Sequence, residues 1–172
     1  MRQDLLPWAL EGLDLGANPL EIGPGPGLTT EVLRTRCTQL TCLEIDPDLA
    51  AALKARLGSQ NVTVQHGDAT AMPFPDNAFS GAASFTMLHH VPSPQLQDKL
   101  LQEACRVIRP GAWLVGSDSR TSLLFRLLHL GDTMVVSDPN AFPNRLRAAG
   151  FEEVAISLSP GSFAFRARKP AA

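Results

Sequence analysis

Three acidic side chains and one glycine-rich turn carry most of the chemical information in this sequence. The stretch Glu21, Ile22, Gly23, Pro24, Gly25, Pro26, Gly27 sets glycine at alternate positions. Glycine reaches backbone conformations closed to other residues and lets a ligand approach the main chain. At the entrance to a helix, the amides there point outward at it. Glu44 lies 17 positions after Gly27, close to where doubly wound folds set a carboxylate against ribose hydroxyls. Both of its oxygens accept hydrogen bonds. Gly67, Asp68 and Ala69 form the third feature: an aspartate at a strand end can accept from an exocyclic amine such as that of adenine, although such a residue taken alone is more often just a turn residue. The set points to a nucleotide-type ligand on residues 21–27.

Glu21 narrows the chemistry of that ligand. A carboxylate just before the glycines repels a pyrophosphate, an interaction on the order of several kcal/mol at low effective dielectric, and attracts an ammonium. The glycine spacing also departs from the dinucleotide fingerprint, which needs its third glycine one residue later. Both facts count against a nicotinamide dinucleotide. His89 and His90 are the best candidates for a base or substrate contact, since histidine titrates near neutral pH. A helix-capping or loop-bonding role fits the pair as well. His129 with Asp132 is a second candidate pair, for which a surface helix end is the simpler account.

The elements that must position these groups alternate. Residues 5–15 read as a short amphipathic helix, within an N-terminal segment 1–18. Strands are expected over 19–22, 40–45, 62–65, 78–85 and 112–117, and helices over 28–36, 47–57 and 94–108. Asp46 followed by Pro47 is a cap and first-turn proline. Alternation of this kind implies right-handed crossovers and a parallel sheet. Beyond Asp118 the pattern changes: residues 119–137 read as an inserted segment with a helix over 122–130. Asp138 then caps a helix through Ala149, and strands over 152–158 and 162–167 form a hairpin around Pro160 and Gly161. The expected fold is α/β, Rossmann-like and doubly wound. Its seven-stranded sheet is mostly parallel with a C-terminal antiparallel hairpin, in a single domain over 1–172.

Composition bounds the rest. The 172 residues carry a formal net charge of −2, which argues against a surface that tracks nucleic-acid phosphates; Arg166, Arg168 and Lys169 read as a solvated last strand and tail. Cys37, Cys42 and Cys105 have no metal-ligand spacing, so no metal site is expected. No signal peptide and no apolar run of about 20 residues is visible, so a cytoplasmic protein without an integral membrane segment is expected. Association into a homodimer is left open.

With these pieces assembled, the sequence resembles the class I S-adenosylmethionine-dependent methyltransferases, in the type 11-like group with small-molecule, quinone or lipid acceptors. The resemblance rests on residues 21–27, on Leu43, Glu44, Ile45, Asp46 and Pro47, and on residues 67–69. It continues through 73–77 (Pro-Phe-Pro-Asp-Asn), Leu88, His89, His90 and Val91, then Arg109, Pro110 and Gly111, and ends at Ala149, Gly150 and Phe151. It implies that Glu21 holds the amino group of the cofactor and that Gly23 to Gly27 admit its methionine and ribose portions. Glu44 would bind both ribose hydroxyls, Ile45 would pack on the adenine, and Asp68 would take the adenine amine beside Ala69. Phe85 would line the pocket near the methionine portion, with a plain core aromatic as the alternative.

The resemblance further implies methyl transfer to a small-molecule or lipid-like acceptor by in-line displacement, which needs orientation more than a dedicated acid or base. Relatives usually carry extra helices before the first strand, so the lid over the acceptor is expected to be absent, borrowed from a partner subunit, or supplied by residues 122–130. Ser80 and Ala112 stand where aspartate and a second glycine are usual, and neither is an expected cofactor contact. A non-catalytic S-adenosylmethionine-binding accessory domain is the main alternative, and an NAD(P)-dependent reductase a weaker one.

Overall fold

The strands of the described residues join one sheet. The structure is a computed structural model that describes residues 8–58, 60–120 and 134–171. Among these residues the strands are β1 (Leu20–Ile22), β2 (Leu40–Glu44), β3 (Val62–His66), β4 (Ala82–Phe85), β5 (Trp113–Ser119), β6 (Glu152–Ser159) and β7 (Ser162–Arg168). Their order is β3-β2-β1-β4-β5-β7-β6. The first five run parallel, and β7 lies antiparallel between β5 and β6. This is the Rossmann-like arrangement expected from the alternation, including the terminal hairpin.

The helices are α1 (Thr30–Leu33), α2 (Pro47–Leu57), α3 (Pro94–Val107) and α4 (Phe142–Ala148), with single 3-10 turns at Arg34–Arg36 and Leu88–His90. Side-chain alternation along the strands sends two apolar sets to opposite faces. Leu20, Ile22, Leu43, Ala82 and Leu114 pack with α3 and α4 residues and with the aromatics Phe142, Phe163 and Phe165. Leu40, Cys42, Val62, Ala83 and Val115 pack with Leu33, Leu53 and Leu57 and with residues 9–15. No helix among the described residues is long and apolar enough to cross a membrane.

Several boundaries differ from expectation, each with a local cause. The helix expected over 28–36 is tightened into one α-turn and one 3-10 turn, because the Asn61 side chain donates to the carbonyls of Arg34 (2.8 Å) and Cys37 (3.1 Å). The fourth strand begins at Ala82 rather than 78. Phe79 instead bridges to Ile108, and the Ser80 hydroxyl donates to the Leu15 carbonyl (2.7 Å) while accepting from Asn18 N–H (2.9 Å). The N-terminal helix reaches only residue 10, followed by a turn in which Gly12 takes φ +65°. Asp138 closes a turn on Asn140, and α4 starts only at Phe142. The expected helix over 122–130 and the pair His129 and Asp132 fall outside the described residues; residues 134–137 are not helical.

One side chain fastens the loop between β3 and β4. The Arg106 guanidinium on α3 donates to Glu103, to Asp76, and to the carbonyls of Met72 and Phe74. Glu103 in turn accepts from Met72 N–H (2.9 Å). The Arg106 hydrogen bonds hold the carboxyl of Glu103 below its ordinary value. Arg106→Ala is expected to cost about 2 kcal/mol, since partly buried carbonyls lose a charged donor. Urea unfolding checks this, and Arg106→Lys, lacking the planar fork, should recover only part of it.

Candidate functional site

Sheet order creates the site. Strand β1 sits at the point where connections turn from one side (β2, β3) to the other (β4, β5), and open α/β sheets bind ligands outside the carboxyl ends of strands at such a point. A cavity of about 1090 Å3 lies there. That exceeds the volume most single small ligands need. Its walls come from the ends of five strands: residues 23–26 after β1, residues 43–46 at β2, residues 67–70 after β3, Phe85 to Met87 at β4, and Ser117 to Ser119 at β5. Leu28, Ile45 and Leu49, three of the four large apolar side chains left exposed among the described residues, belong to the same wall. Clustered exposed apolar surface of this kind marks a place where something binds.

The glycine loop has the conformation that its sequence demands. Gly23 and Gly25 adopt φ +65° and +53°. A Cβ on Gly23 would lie 2.8 Å from Met87, so this glycine lets the loop after β4 close on the loop after β1. A Cβ on Gly25 would meet nothing within 4 Å; there the constraint is the left-handed backbone alone. The Gly25 amide donates to Oε2 of Glu44 (2.9 Å), and the Asp46 amide donates to Oε1 (3.0 Å). Asp46 also caps α2, accepting from Asp48 and Leu49 N–H. The carboxylate at the end of β2 is thus fixed between two loops while lining the cavity.

Glu21 faces the other way. It is 1% exposed and does not line the cavity. Its carboxylate accepts from the hydroxyls of Thr29 and of Thr30 (2.6 Å for the latter), with the Cys42 thiol 3.5 Å away. Burial pushes its carboxyl above the ordinary value of 4.5, and the threonine hydroxyls and Cys42 offset part of that rise. The same burial, with Glu21 alongside, pushes the Cys42 thiol up.

At the end of β4 the chain makes a strained turn. Thr86 takes φ +57°, costly for a β-branched residue, and its amide donates to the Ser117 carbonyl (2.7 Å). This turn launches Met87 and the 3-10 turn carrying both histidines. His90 lines the cavity. His89 is buried, with its Nδ1 on Oδ1 of Asp118. Gln97, fully buried on α3, donates to the carbonyls of Leu88 (3.0 Å) and Val135 (2.6 Å) and accepts from Ser137 and Arg145. Its four bonds hold the histidine turn against residues 135–137.

Of the residues singled out from sequence, Gly23, Pro24, Gly25, Pro26, Glu44, Ile45, Gly67, Asp68, Ala69, Phe85 and His90 come together around this one cavity. Glu21, Ile22, Gly27 and His89 stand behind its walls. Asp68 forms a turn, its Oδ1 accepting from Thr70 N–H (2.7 Å). Sequence reasoning missed Asp118 and Thr86. Asp118 had a readable signal: Ser117, Asp118 and Ser119 are polar residues closing an otherwise apolar strand.

The family match covers residues 20–116, more than half of the chain, and the family is the methyltransferase domain. The chain belongs to this family. A rice (Oryza sativa subsp. japonica) 2-methyl-6-phytyl-1,4-hydroquinone methyltransferase is 29% identical over 161 residues, covering 90% of this chain. This chain spans 45% of the rice protein's length. A ribosomal RNA small subunit methyltransferase A of Dechloromonas aromatica is 47% identical, over only 55 residues, 32% of this chain and 22% of that protein. Among solved structures, a phosphoethanolamine N-methyltransferase of Haemonchus contortus, in complex with S-adenosylhomocysteine, superposes with a TM-score of 0.81 at 15% identity. It covers 96% of this chain and 51% of that one. The last likeness is one of fold.

In this methyltransferase domain the burial of Glu21 has a measurable consequence. A carboxyl raised in the folded state destabilises the fold above the unfolded value, so stability falls as pH rises from 4.5 toward the folded value. Glu21→Gln should therefore melt higher than the parent at pH 8, by about 2–4 °C for each kcal/mol recovered, and the gap should close as pH falls to 4.5. A second expectation concerns the loop: Gly25→Val should lose roughly 1–2 kcal/mol from the left-handed backbone, whereas Gly25→Asn should lose clearly less. Denaturant titration distinguishes the two variants.

Proposed function

We propose that this methyltransferase domain binds S-adenosylmethionine in the cavity at the carboxyl edge of the sheet and transfers its methyl group to a small-molecule or lipid-like acceptor. The observation that carries this reading is the convergence of the glycine loop, Glu44 and Asp68 on one cavity at three consecutive strand ends. Their chemistry fits the ligand: carboxylates suit ribose hydroxyls and an adenine amine, whereas a dinucleotide's pyrophosphate would meet acidic walls. S-adenosylmethionine supplies a methyl group already activated as a sulfonium. The chain's own task is then to bind, orient and exclude water. Glu44 would hold the ribose, Asp68 the adenine amine, and Ile45 with Leu28 and Leu49 would cover the base. Glu21 lies behind the loop, so its part would be to set the loop through Thr29 and Thr30; a contact with the cofactor's amino group would require those hydroxyls to yield.

The apolar walls Phe85, Met87, Val91, Leu96 and Leu100 support an apolar acceptor, in keeping with the prenylated hydroquinone named for the rice relative. The partial ribosomal RNA matches cover about a third of this chain and about a fifth of those proteins, too little to carry their acceptor over.

Titration calorimetry with S-adenosylhomocysteine tests the cofactor. Binding at micromolar concentration is expected, weakened about tenfold in Asp68→Ala. A folded protein that takes up no ligand at high micromolar concentration removes the reading.

A further inference from the structure

Asp118 is a charged group at this cavity whose bonding is incomplete among the described residues. It is 1% exposed at the end of β5. Its Oδ1 is engaged twice, by Nδ1 of His89 and by the Ser119 amide (2.8 Å). Its Oδ2 is buried and has no hydrogen-bond partner among the described residues. Buried carboxylate oxygens are costly to leave unpaired, and this residue lines the cavity. The other unpartnered buried oxygen among the described residues, Ser162 Oγ, lines the same cavity from the start of β7. Such incompleteness at a cavity wall is what a ligand's donor completes.

The rest of the wall restricts what that donor belongs to. Glu44, Asp46, Asp68 and Asp118 all line the cavity, and no lysine or arginine among the described residues does so. A carboxylate or phosphate on the acceptor would be repelled and left without a cation. An ammonium would lose its hydration among Phe85, Met87, Val91, Leu96 and Leu100, facing a carboxylate already shared with His89. A neutral hydroxyl loses far less and forms a charge-assisted bond with Oδ2, roughly twice as strong as one between neutral groups.

We infer that Asp118 Oδ2 anchors a hydroxyl of a neutral, largely apolar acceptor, and that this subsite rejects acidic acceptors. The inference rests on the proposed reading of the cavity as a methyltransferase site, and it adds the acceptor's recognition group and its charge.

The test uses the full chain, with and without S-adenosylhomocysteine, and four aromatic probes followed by ligand-observed NMR. These are 2-methylhydroquinone, its dimethyl ether (2,5-dimethoxytoluene), 2,5-dihydroxybenzoate and benzylammonium. The expected order has 2-methylhydroquinone bound at least about tenfold tighter than each of the others. Asp118→Asn should remove most of that advantage while changing the affinity for S-adenosylhomocysteine less than twofold. The comparison of hydroquinone with its dimethyl ether on the parent protein needs no variant, so a poorly folding Asp118→Asn leaves the test intact. Equal binding of the ether, tighter binding of the benzoate or the ammonium, or no binding of the hydroquinone overturns the inference. Loss of S-adenosylhomocysteine binding by the parent strikes the cofactor reading instead, and the two failures are read on separate titrations.

Discussion

The carboxylate of Glu44 is the joint on which the site depends. One oxygen takes the amide of Gly25 and the other takes the amide of Asp46. The first bond ties the end of β2 to the loop after β1; the second ties it to the residue that caps α2. Because β1 and β2 are parallel neighbours, the two loops leave the sheet side by side at the same edge, and a single side chain can span them. Two main-chain donors satisfy the carboxylate there, and it still lines the cavity. Gly25 must be in the left-handed region for its amide to point at Glu44, which ties the backbone of the loop to the acid 19 residues later.

Glu21 illustrates the opposite use of the same residue type. Alternation along β1 sends Leu20 and Ile22 to one face and Glu21 to the other, where Thr30 and Cys42 are buried. The carboxylate therefore lies beneath the loop, and the hydroxyls of Thr29 and Thr30 are drawn down onto it instead of capping α1. Those two bonds seat the loop on the sheet. A carboxyl placed two residues before the first glycine thus organises the loop from below, while Glu44 organises it from the side.

Much of this could be read from sequence because it is local. Strand alternation, the glycine spacing, the Asp46–Pro47 cap and the positions of Glu44 and Asp68 at strand ends all follow from residue type and period. The hairpin around Pro160 and Gly161 follows in the same way. What escaped is non-local. The direction of Glu21 depends on which face Thr30 and Cys42 occupy. The start of β4 depends on Ser80 meeting Leu15 across the chain, and the short α1 on Asn61 reaching back to Arg34 and Cys37. The pairing of His89 with Asp118 joins two elements 29 positions apart. Two adjacent histidines in a sequence look equivalent; one lines the cavity and the other is buried against an aspartate, a division made by the 3-10 turn that holds them.

The cavity has two chemically different ends, and the sheet order explains why. The β1, β2 and β3 side sets the carboxylates of Glu44, Asp46 and Asp68 beside the exposed apolar Leu28, Ile45 and Leu49, a surface suited to a ligand with both hydroxyls and a flat ring. The β4 and β5 side is built on α3, whose Leu96 and Leu100 reach the same space, and on the strained Thr86 turn that carries Met87 over Gly23. Gln97 pins that turn to residues 135 and 137 with a fully bonded, buried amide, so the apolar end is fixed by a polar knot just behind it. The seam between the two ends runs from Gly23 to Met87. A group presented from one side and one presented from the other would meet at that seam, in the cavity that Phe85 and Asp118 also line. Methyl transfer from an activated donor asks its protein above all to orient two reactants, and in the proposed reading the topological switch between β1 and β4 would set them side by side.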